Sequence, residues 1–336
     1  MINSFISIIV PCKNEEGYIS GCLDSLVNNT YPHNLMEILV VDGMSVDMTP
    51  SIIKSYQEKY NFISLLENPK KIFPSAVNIG IKKACGNLIF IAGAHAVYDK
   101  DYLKKSVQTS LKYEADNVGG VIITREQENT FAAKAITFVL SSRFGVGNST
   151  FRTGTDKIQQ VDTVFGGCYK RNIFAEIGYF HEELISTSDY EFNKRLRNNG
   201  GKIILNPDIK ATYYTRTTFK KFIKNNIRNG YWAIFPIYIA DYIPVSVRHL
   251  IPLMFVLSIL TATITTIFVK PFLFILLLIF ASHYLFSLIF TLIGTFNPVK
   301  VLVVPLFFFI LHFSYGIGSL YALINILFRK MRIIKD

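Results

Sequence analysis

The sequence predicts an α/β domain with a mostly parallel sheet, followed by a basic interfacial helix and C-terminal transmembrane helices. Short apolar runs such as residues 88–92 show no polar alternation, which is typical of strands covered on both faces. Amphipathic segments alternate with these runs, an order that indicates right-handed crossovers between parallel strands. After Leu250, three apolar runs approach or exceed the ~20 residues that span a bilayer.

The elements follow from the same periodicities. The first strand is expected to stop at Pro11, which cannot donate to a ladder. The second helix is expected to begin at Thr49, with Asp47 and Thr49 as possible caps and Pro50 in its first turn. Strands are predicted at residues 6–10, 38–41, 63–66, 88–92 and 118–124, and helices at residues 17–28, 49–60, 74–84 and 100–113.

Composition narrows the cellular setting. The start of the chain, MINSFISIIVPCKNEE, has an apolar run too short for a signal peptide, so the N-terminal part is expected in the cytoplasm. A net charge of +11 suits anionic lipid, a phosphorylated substrate or nucleic acid equally well. The cysteines show no metal-type spacing and are expected to be reduced: Cys12, Cys22, Cys85 and Cys168.

Polar side chains follow three of the predicted strands. Glu15 follows the first strand, Asp42 the second and His95 the fourth. Ligands of open α/β sheets bind beyond the carboxyl ends of the strands, and small residues such as Gly93 let a ligand approach the backbone there. Carboxylates at such positions can accept from a uracil N–H and from ribose hydroxyls, although turn or cap roles are the alternative. No GxGxxG or GxxxxGK[ST] is present, which argues against dinucleotide dehydrogenases and P-loop enzymes.

Several longer segments resemble one family. SIIVPCKNEE, ILVVDGMSVDMT and SAVNIGIKKACGNLIFIAGAHAVY resemble the nucleotide-binding half of a family 2 glycosyltransferase with the GT-A fold. Three later segments resemble the branch that builds bacterial exopolysaccharides such as succinoglycan: SSRFGVGNSTFR, VDTVFGGCYKRNIFAEIGYF and SDYEFNKRLRNNGGKI. The resemblance covers nearly the whole chain.

The resemblance implies roles for individual residues. Asp189 falls on the family's catalytic base, which accepts the proton of the acceptor hydroxyl during an inverting displacement. A helix cap is the alternative for Asp189, and Glu191, two residues on, is expected only to support it because a helix turns it to another face. The implied nucleotide-binding positions are Pro11, Glu15, Asp42, Asn78 and Ala94, with Asn78 supporting the loop.

The chain departs from the family at the metal site. The branch usually has Asp-x-His, which holds a divalent ion (Mn²⁺ or Mg²⁺) on the donor diphosphate, whereas this sequence has Gly93-Ala94-His95. His95 is then the remaining metal ligand. Four alternatives stay open: the site binds a metal ion weakly, it recruits Asp99 or Asp101 as a ligand, it uses cationic side chains instead, or catalysis is lost. Ser188 precedes the base where glutamate is usual, and His181 ends GYFH where aspartate is usual.

The C-terminal part is predicted to be membrane-bound. From Thr217 a helix segregates apolar side chains (Phe219, Phe222, Ile223, Ile227) from basic ones (Lys220, Lys221, Lys224, Arg228), which favours a position in the membrane interface over packing on the domain. An aromatic belt is expected at Tyr231, Trp232, Tyr238 and Tyr242. The apolar runs are residues 250–269, 272–294 and 301–328.

The direction of the spans stays open. Three crossings would put the basic tail (Arg329, Lys330, Arg332, Lys335) outside, whereas the positive-inside rule puts it in the cytoplasm. A re-entrant first pair of runs, or one run that only dips into the membrane, would resolve the conflict. His283 and His312 lie within the runs and are expected to form helix–helix hydrogen bonds rather than to meet a lipid phosphate.

The resemblance and the membrane segments together imply a function. The expected protein is a multi-pass plasma-membrane enzyme with a cytoplasmic catalytic domain (1–215), a basic interfacial segment (216–249) and a transmembrane domain (250–336). It is expected to be an inverting, hexosyl-type transferase that moves sugar from a nucleotide-sugar, UDP-linked, to a lipid-linked or growing polysaccharide acceptor, with no nucleic-acid partner. The alternative is a catalytically silent GT-A-like membrane protein that binds glycans or partners, and Gly93 is the residue that favours it.

Overall fold

The computed structural model describes residues 4–215, 218–239, 246–295 and 297–333, with side chains as far as 328. The predicted helix start at Thr217, the predicted belt residue Tyr242 and the basic side chains of the tail lie outside this description. The chain forms two compact units, Met1–Ile123 with Thr150–Tyr214, and Thr124–Ser149 with Thr215–Asp336. The predicted boundary at 215 falls at the end of the first unit, but the sequence does not indicate that 124–149 groups with the C-terminal helices.

The strands are β1 (Ile6–Cys12), β2 (Met36–Asp42), β3 (Ile63–Glu67), β4 (Leu88–Ile91), β5 (Ala96–Tyr98), β6 (Asn117–Glu126), β7 (Gln159–Gln160), β8 (Cys168–Lys170) and β9 (Ile203–Thr215). The α-helices are α1 (Ile19–Val27), α2 (Thr49–Lys59), α3 (Phe73–Lys83), α4 (Tyr102–Tyr113), α5 (Phe131–Ser141), α6 (Arg143–Val146), α7 (Thr150–Thr153), α8 (Ile173–Glu176), α9 (Ser188–Asn198), α10 (Phe219–Ile234), α11 (Val247–Phe268), α12 (Phe272–Gly294) and α13 (Pro298–Ile333). Two 3₁₀ turns, His33–Leu35 and Phe235–Tyr238, complete the described elements. The predicted strands and helices up to β6 are all present, with ends that differ by one to two residues.

The sheet is mixed, with strand order β3-β2-β1-β4-β8-β6-β9-β5 and β7 beside β9. β3, β2, β1 and β4 run parallel, as predicted. β8 is antiparallel to β4 and β6, and β9 is antiparallel to β5 and β7. β6 therefore runs in the same direction as β4, as predicted, but the antiparallel β8 separates the two strands. The alternation of strands with helices ends after β4, because the short loop before β5 cannot form a parallel crossover.

The two faces of the sheet are both covered, as the apolar runs predict. Ile8 and Val10 of β1 face one apolar cluster with Leu23 of α1, whereas Ile9 faces a second cluster with Val77 of α3. This alternation is the two-residue period of a strand, and both sets are buried because helices lie on each side.

Pro11 does not stop β1, contrary to the prediction. The strand continues to Cys12, and Pro11 stands opposite Val41 in the parallel register with β2. The Ile9 carbonyl accepts from the Ala92 N–H on the β4 side, at 2.8 Å. Pro11, two residues on, faces the same side beyond the last β1–β4 pair, so its missing N–H removes no ladder bond.

Among the described residues of the second unit, three helices are long and apolar enough to cross a membrane: Val247–Phe268, Phe272–Gly294 and Pro298–Phe328. They agree with the predicted runs. Ile136 and Val139 of α5 pack against Val304 and Phe308 of α13 in one buried cluster. The predicted histidine contact is confirmed, since His283 Nε2 lies 3.0 Å from His312 Nδ1.

Helix α10 packs closely on α13. Gly230 lets the two backbones approach, because a Cβ there would lie 1.9 Å from the Tyr315 carbonyl oxygen, and Gly318 does the same opposite Ile227. The Ser319 hydroxyl donates to the Gly230 carbonyl at 3.1 Å. The basic side chains of α10 are exposed as predicted, but Phe222 of the predicted apolar stripe is buried against α13.

Candidate active site

The loops after β1 and β2 are bonded to each other. The strands end in register, with Cys12 opposite Asp42. Asp42 is only 6% exposed, and its carboxylate accepts from the Ser45 N–H at 2.9 Å and from the Ser45 hydroxyl. The Asn14 N–H donates to Ser45 Oγ at 2.8 Å, and Asn14 Oδ1 accepts from the Val46 N–H. Asp42 therefore sits in a preformed loop at the carboxyl edge of the sheet.

Glu15 lies between these loops and β4. It is 7% exposed, and its N–H donates to Thr49 Oγ1 at 2.7 Å, which fixes its backbone. Its Oε1 lies 3.7 Å from His95 Nδ1. Burial raises the pKa of the Cys12 thiol, and the neighbouring Asp42 and Glu15 carboxylates raise it further. The structure thus brings the three predicted strand-end groups, Glu15, Asp42 and His95, to one edge.

His95 is held by a tyrosine that the sequence analysis missed. Its Nε2 lies 3.1 Å from the Tyr213 hydroxyl, and the two rings meet edge to face. Tyr213 belongs to β9 and pairs with Ala96, directly after His95. His95 Nδ1 is buried and makes no hydrogen bond within the described part of the chain; Glu15 faces it. Tyr213 was missed because the Asn206-Pro207-Asp208 segment of β9 is typical of a turn.

Gly93 has an ordinary backbone conformation. Its N–H donates to the Tyr98 hydroxyl at 2.6 Å, which fixes the loop. A Cβ on Gly93 would lie 3.3 Å from Phe165 Cζ, and the Phe165 ring contacts Tyr213. A side chain at 93 would therefore extend toward the surface shared by Phe165, Tyr213 and His95.

The residues present do not form a divalent-metal site by themselves. Among the described residues no group of three or more histidine, cysteine, aspartate or glutamate side chains could hold a metal ion. Asp101 cannot replace the missing ligand, since it accepts from Thr30 beyond the far end of α1. Gly93 offers no side-chain oxygen, and His95 Nε2 is engaged with Tyr213. Hard cations need several oxygen ligands, so the set does not fit a tightly held ion.

Asp189 is the second residue of α9, and Thr187 occupies the cap position, so Asp189 is not the capping residue. Asp189 is exposed, yet desolvation by the surrounding protein raises the pKa of its carboxyl. Hydrogen bonds from the Tyr190 and Asp189 N–H groups and the charge of Arg152 lower this pKa, but they do not outweigh the desolvation. The carboxyl is therefore accessible to a ligand, although the surrounding protein disfavours its charged form. A raised pKa also makes a carboxylate a better proton acceptor.

Helix α9 is anchored one turn beyond Asp189. Asn193 is 0% exposed; its Oδ1 accepts from Asn117 Nδ2 at 2.9 Å and from the Tyr169 hydroxyl at 3.2 Å. Its Nδ2 donates to Thr163 Oγ1 at 2.9 Å. Residues i and i+4 share a helix face, so this buried network fixes the position of Asp189.

Glu191 has structural contacts. It is 2% exposed, and its two oxygens accept from Arg195 Nε and Nη2 at 3.0 and 3.1 Å. Arg195 also donates to the carbonyls of Ile177 and Tyr179, while His181 Nε2 lies 3.8 Å from Glu191. Glu191 therefore holds the GYFH segment against α9.

Arg152, in α7, is a second residue that the sequence analysis missed. Its Cζ lies 5.7 Å from the centre of the Tyr213 ring and 5.2 Å from that of Phe151. Burial lowers the pKa of its guanidinium, while Tyr213 and Asp189 oppose this effect. Arg152 stands in the quoted segment SSRFGVGNSTFR, but a single arginine without a spaced partner gave no functional signal.

Residues 7–178, slightly more than half of the chain, match the family model described as "Glycosyl transferase family 2". The chain belongs to glycosyl transferase family 2.

Relatives in the family include a Methanococcus voltae protein named dolichyl N-acetyl-alpha-D-glucosaminyl phosphate 3-beta-D-2,3-diacetamido-2,3-dideoxy-beta-D-glucuronosyltransferase. It is 39% identical over 234 residues, which cover 68% of this chain and 72% of that protein. The succinoglycan biosynthesis protein ExoA of Rhizobium meliloti is 25% identical and covers 69% of this chain and 74% of its own.

A solved structure shares the fold. The mannosyltransferase PcManGT from Pyrobaculum calidifontis, in complex with GDP-Man and Mn²⁺, aligns with a TM-score of 0.60 at 17% identity, over 96% of this chain and 87% of its own. This chain is thus a family 2 glycosyltransferase with a GT-A fold, and the predicted family, fold and transferase class are confirmed.

The remaining predicted nucleotide-binding residues differ in their surroundings. Asn78 donates to the Phe180 carbonyl at 2.9 Å and accepts from the Phe180 N–H at 3.0 Å, contacts typical of a positioning residue. Pro11 is the last residue but one of β1, opposite Val41, and Ala94 is buried in the loop after β4. Direct contact of these residues with a nucleotide stays a prediction for this glycosyltransferase.

Proposed function

We propose that the chain is a membrane-bound inverting glycosyltransferase that transfers a sugar from a UDP-sugar to a lipid-linked or growing polysaccharide acceptor. The observation that carries the proposal is the surroundings of Asp189. Its exposed carboxyl has a raised pKa and interacts electrostatically with Arg152. The Arg152 guanidinium lies over the ring of Tyr213, whose hydroxyl contacts His95 in the loop after β4. Base, cation and donor edge therefore belong to one compact unit.

The proposed reaction is a single displacement. The acceptor hydroxyl oxygen attacks the anomeric carbon, and the Asp189 carboxylate takes the hydroxyl proton as the new bond forms. The bond between the anomeric carbon and the diphosphate oxygen breaks, and its electron pair leaves with the nucleoside diphosphate. The configuration at the anomeric carbon inverts because attack and departure occur on opposite faces.

The donor is proposed to bind at the edge formed by β1, β2 and β4. Glu15 and Asp42 would accept from the uracil N–H and the ribose hydroxyls, with Pro11 and Ala94 beside them and Asn78 behind the loop. A divalent ion, Mn²⁺ or Mg²⁺, enters this proposal only as one brought by the donor diphosphate near His95, since the protein side chains do not form a site for it. No step of the reaction is assigned to that ion.

The acceptor is proposed to be presented at the plasma membrane. Three helices have the length and hydropathy of membrane spans, and α10 exposes Lys220, Lys221, Lys224 and Arg228, which suit anionic headgroups. The name of the Methanococcus voltae relative describes transfer to a dolichyl-phosphate-linked sugar. By analogy, we propose a lipid-linked acceptor and a catalytic domain on the cytoplasmic side.

A donor screen on the full chain in lipid nanodiscs tests the proposal. Release of nucleoside diphosphate from UDP- and GDP-hexoses is measured with and without a polyprenyl-phosphate-linked sugar and manganese, and the product anomer is assigned by NMR. We expect acceptor-dependent UDP release and inversion, both lost in Asp189→Asn. Retention of configuration would contradict the mechanism, and no release from any donor would favour the catalytically silent alternative.

A further inference from the structure

Arg152 has the surroundings of an anion-binding side chain. Its guanidinium lies against the rings of Phe151 and Tyr213, and burial there lowers its pKa. Among the described residues, no carboxylate lies within 4 Å of the guanidinium and no hydrogen bond engages its N–H groups. A guanidinium that has lost part of its water without gaining hydrogen-bond acceptors is poised to bind an anion.

Side-chain contacts connect Arg152 to Gly93, the position where the family usually has a metal-binding aspartate. Its neighbour Tyr213 contacts both His95 and Phe165, and Phe165 is the side chain that a Cβ on Gly93 would approach. Arg152 also interacts electrostatically with Asp189. Side-chain contacts thus connect Arg152 to the loop that lacks a metal-binding carboxylate, and its charge acts on the residue proposed as base.

The positive charge has a specific use in the reaction. When the bond between the anomeric carbon and the donor oxygen breaks, negative charge develops on the departing diphosphate, and a preorganised cation stabilises it. In sites with a bound divalent ion the metal supplies that charge. Here the described side chains form no such site, whereas one partly desolvated arginine is present.

We propose that Arg152 binds the diphosphate of the nucleotide-sugar donor and stabilises the leaving group. It would supply the positive charge that a divalent ion supplies where residue 93 is a metal-binding aspartate. This inference rests on the proposed donor class. The planar guanidinium donates two N–H groups to phosphate oxygens, and the charge that it meets grows as UDP departs. The acceptor's lipid phosphate is the other anion with the same chemistry.

The test compares the binding of UDP and UMP to the full chain by calorimetry without metal. Arg152→Met should weaken UDP binding by about 10- to 100-fold, the range of a hydrogen bond to a charged group, and leave UMP binding within about threefold. Unchanged UMP affinity also reports that the variant is folded. Arg152→Lys should recover part of the UDP affinity because it keeps the charge without the planar fork.

Lys13→Met is the matched control. Lys13 is an exposed cation whose side chain lies against Gly43 in the loop after β2. If its removal weakens UDP binding as much as Arg152→Met does, the effect is one of net charge and the assignment of Arg152 is overturned.

Two further outcomes would overturn the assignment. Unchanged UDP affinity with a higher KM for the lipid acceptor would place Arg152 on the acceptor phosphate. Arg152 would instead be a positioning residue for Asp189 if the variant kept its UDP affinity and only the acidic limb of the pH–rate profile of transfer moved to higher pH. Absence of UDP and GDP binding to the wild-type chain would instead remove the proposed donor class, and this inference with it.

Discussion

The two halves of the site differ in the hydrogen bonds that fix their loops and in the desolvation that disfavours their charged groups. The nucleoside half comprises Glu15, Asp42 and Ser45, and there the Asp42 carboxylate accepts two hydrogen bonds from Ser45 in a fixed loop. The reaction half comprises His95, Arg152 and Asp189. In it the described contacts leave His95 Nδ1 without a hydrogen bond, and burial disfavours the charged forms of both Arg152 and Asp189.

This difference separates recognition from chemistry. A recognition surface gains from preformed loops, because little conformational entropy is then lost when the ligand binds. A reacting group gains from incomplete solvation, because its interactions with charge in the transition state are then stronger. Buried unsatisfied groups cost stability, and they are retained where a ligand completes them.

The largest effect is expected in the reaction half, from Asp189→Asn. The substitution keeps the shape of the side chain and removes the proton acceptor, so transfer should fall by about 100-fold or more. Donor affinity, measured by calorimetry, should stay within about threefold because the nucleoside half is unchanged. Near-normal transfer would remove Asp189 from the mechanism.

Glu191→Gln is the control for that variant. It alters another carboxylate of α9, but one that accepts two hydrogen bonds from Arg195, which hold the fold. We expect a loss of folding stability of about 2 kcal/mol, the scale of a hydrogen bond to a charged group, and a smaller loss of transfer than for Asp189→Asn. If both variants lose transfer activity equally, each of them disturbs the position of α9, and the loss in Asp189→Asn does not report on the base.

In the nucleoside half, Asp42→Ala is expected to weaken UDP binding by roughly 30-fold, which corresponds to about 2 kcal/mol for a lost charged hydrogen bond. Ser45→Ala separates ligand contact from loop support, because it removes the hydroxyl bond of the loop and leaves the carboxylate. Calorimetry should show a much smaller effect for Ser45→Ala. If both variants weaken binding alike, Asp42 acts through the loop and does not contact the nucleotide.

The nucleoside half could be predicted from sequence because its information is local. Apolar runs end at Asp42 and at the loop containing Glu15, and parallel strands bring their carboxyl ends to one edge by geometry alone. The resemblance added Asp189, and the structure places it in the first turn of α9.

The reaction half could not be predicted because its neighbours are distant in sequence. Tyr213 reaches His95 only because β9 returns antiparallel to β5, and no periodicity shows that pairing. Arg152 is found only through the ring of Tyr213. Likewise, α5 groups with α13 through packing of Ile136 and Phe308, although α5 lies between strands of the sheet in the chain.

Gly93→Asp would make the reaction half resemble a metal site. Gly93 has no positive φ, so aspartate is allowed there, and the Phe165 ring has only to give way by a few tenths of an ångström. One added carboxylate should tighten Mn²⁺ binding in the presence of UDP by roughly tenfold, the factor that 1.4 kcal/mol gives. Gly93→Ala introduces the same Cβ and is the control. If the aspartate variant folds and matches it, residue 93 does not face the diphosphate.

The smallest expected effect concerns stability rather than activity. Desolvation raises the pKa of Asp189 above its unfolded value, so the folded state binds more protons between the two pKa values and loses stability as pH rises through that window. Asp189→Asn abolishes this titration. The variant should therefore have a higher Tm than wild type near neutral pH, and the difference should shrink as pH falls toward the ordinary aspartate pKa, about 4.

Asp47, in the loop after β2 that also contains Ser45, provides the opposite case. Desolvation acts to raise its pKa but is outweighed by hydrogen bonds from Thr49 and from the Glu16 N–H, so its folded pKa is lowered. Its stabilising contribution is present above the unfolded pKa and is lost as pH falls through the folded one. Asp47→Asn should thus lower Tm near neutral pH, where Asp189→Asn raises it. Thermal melts of both variants in the same lipid would decide the point, because shifts of the same sign would show that the two halves do not differ in this way.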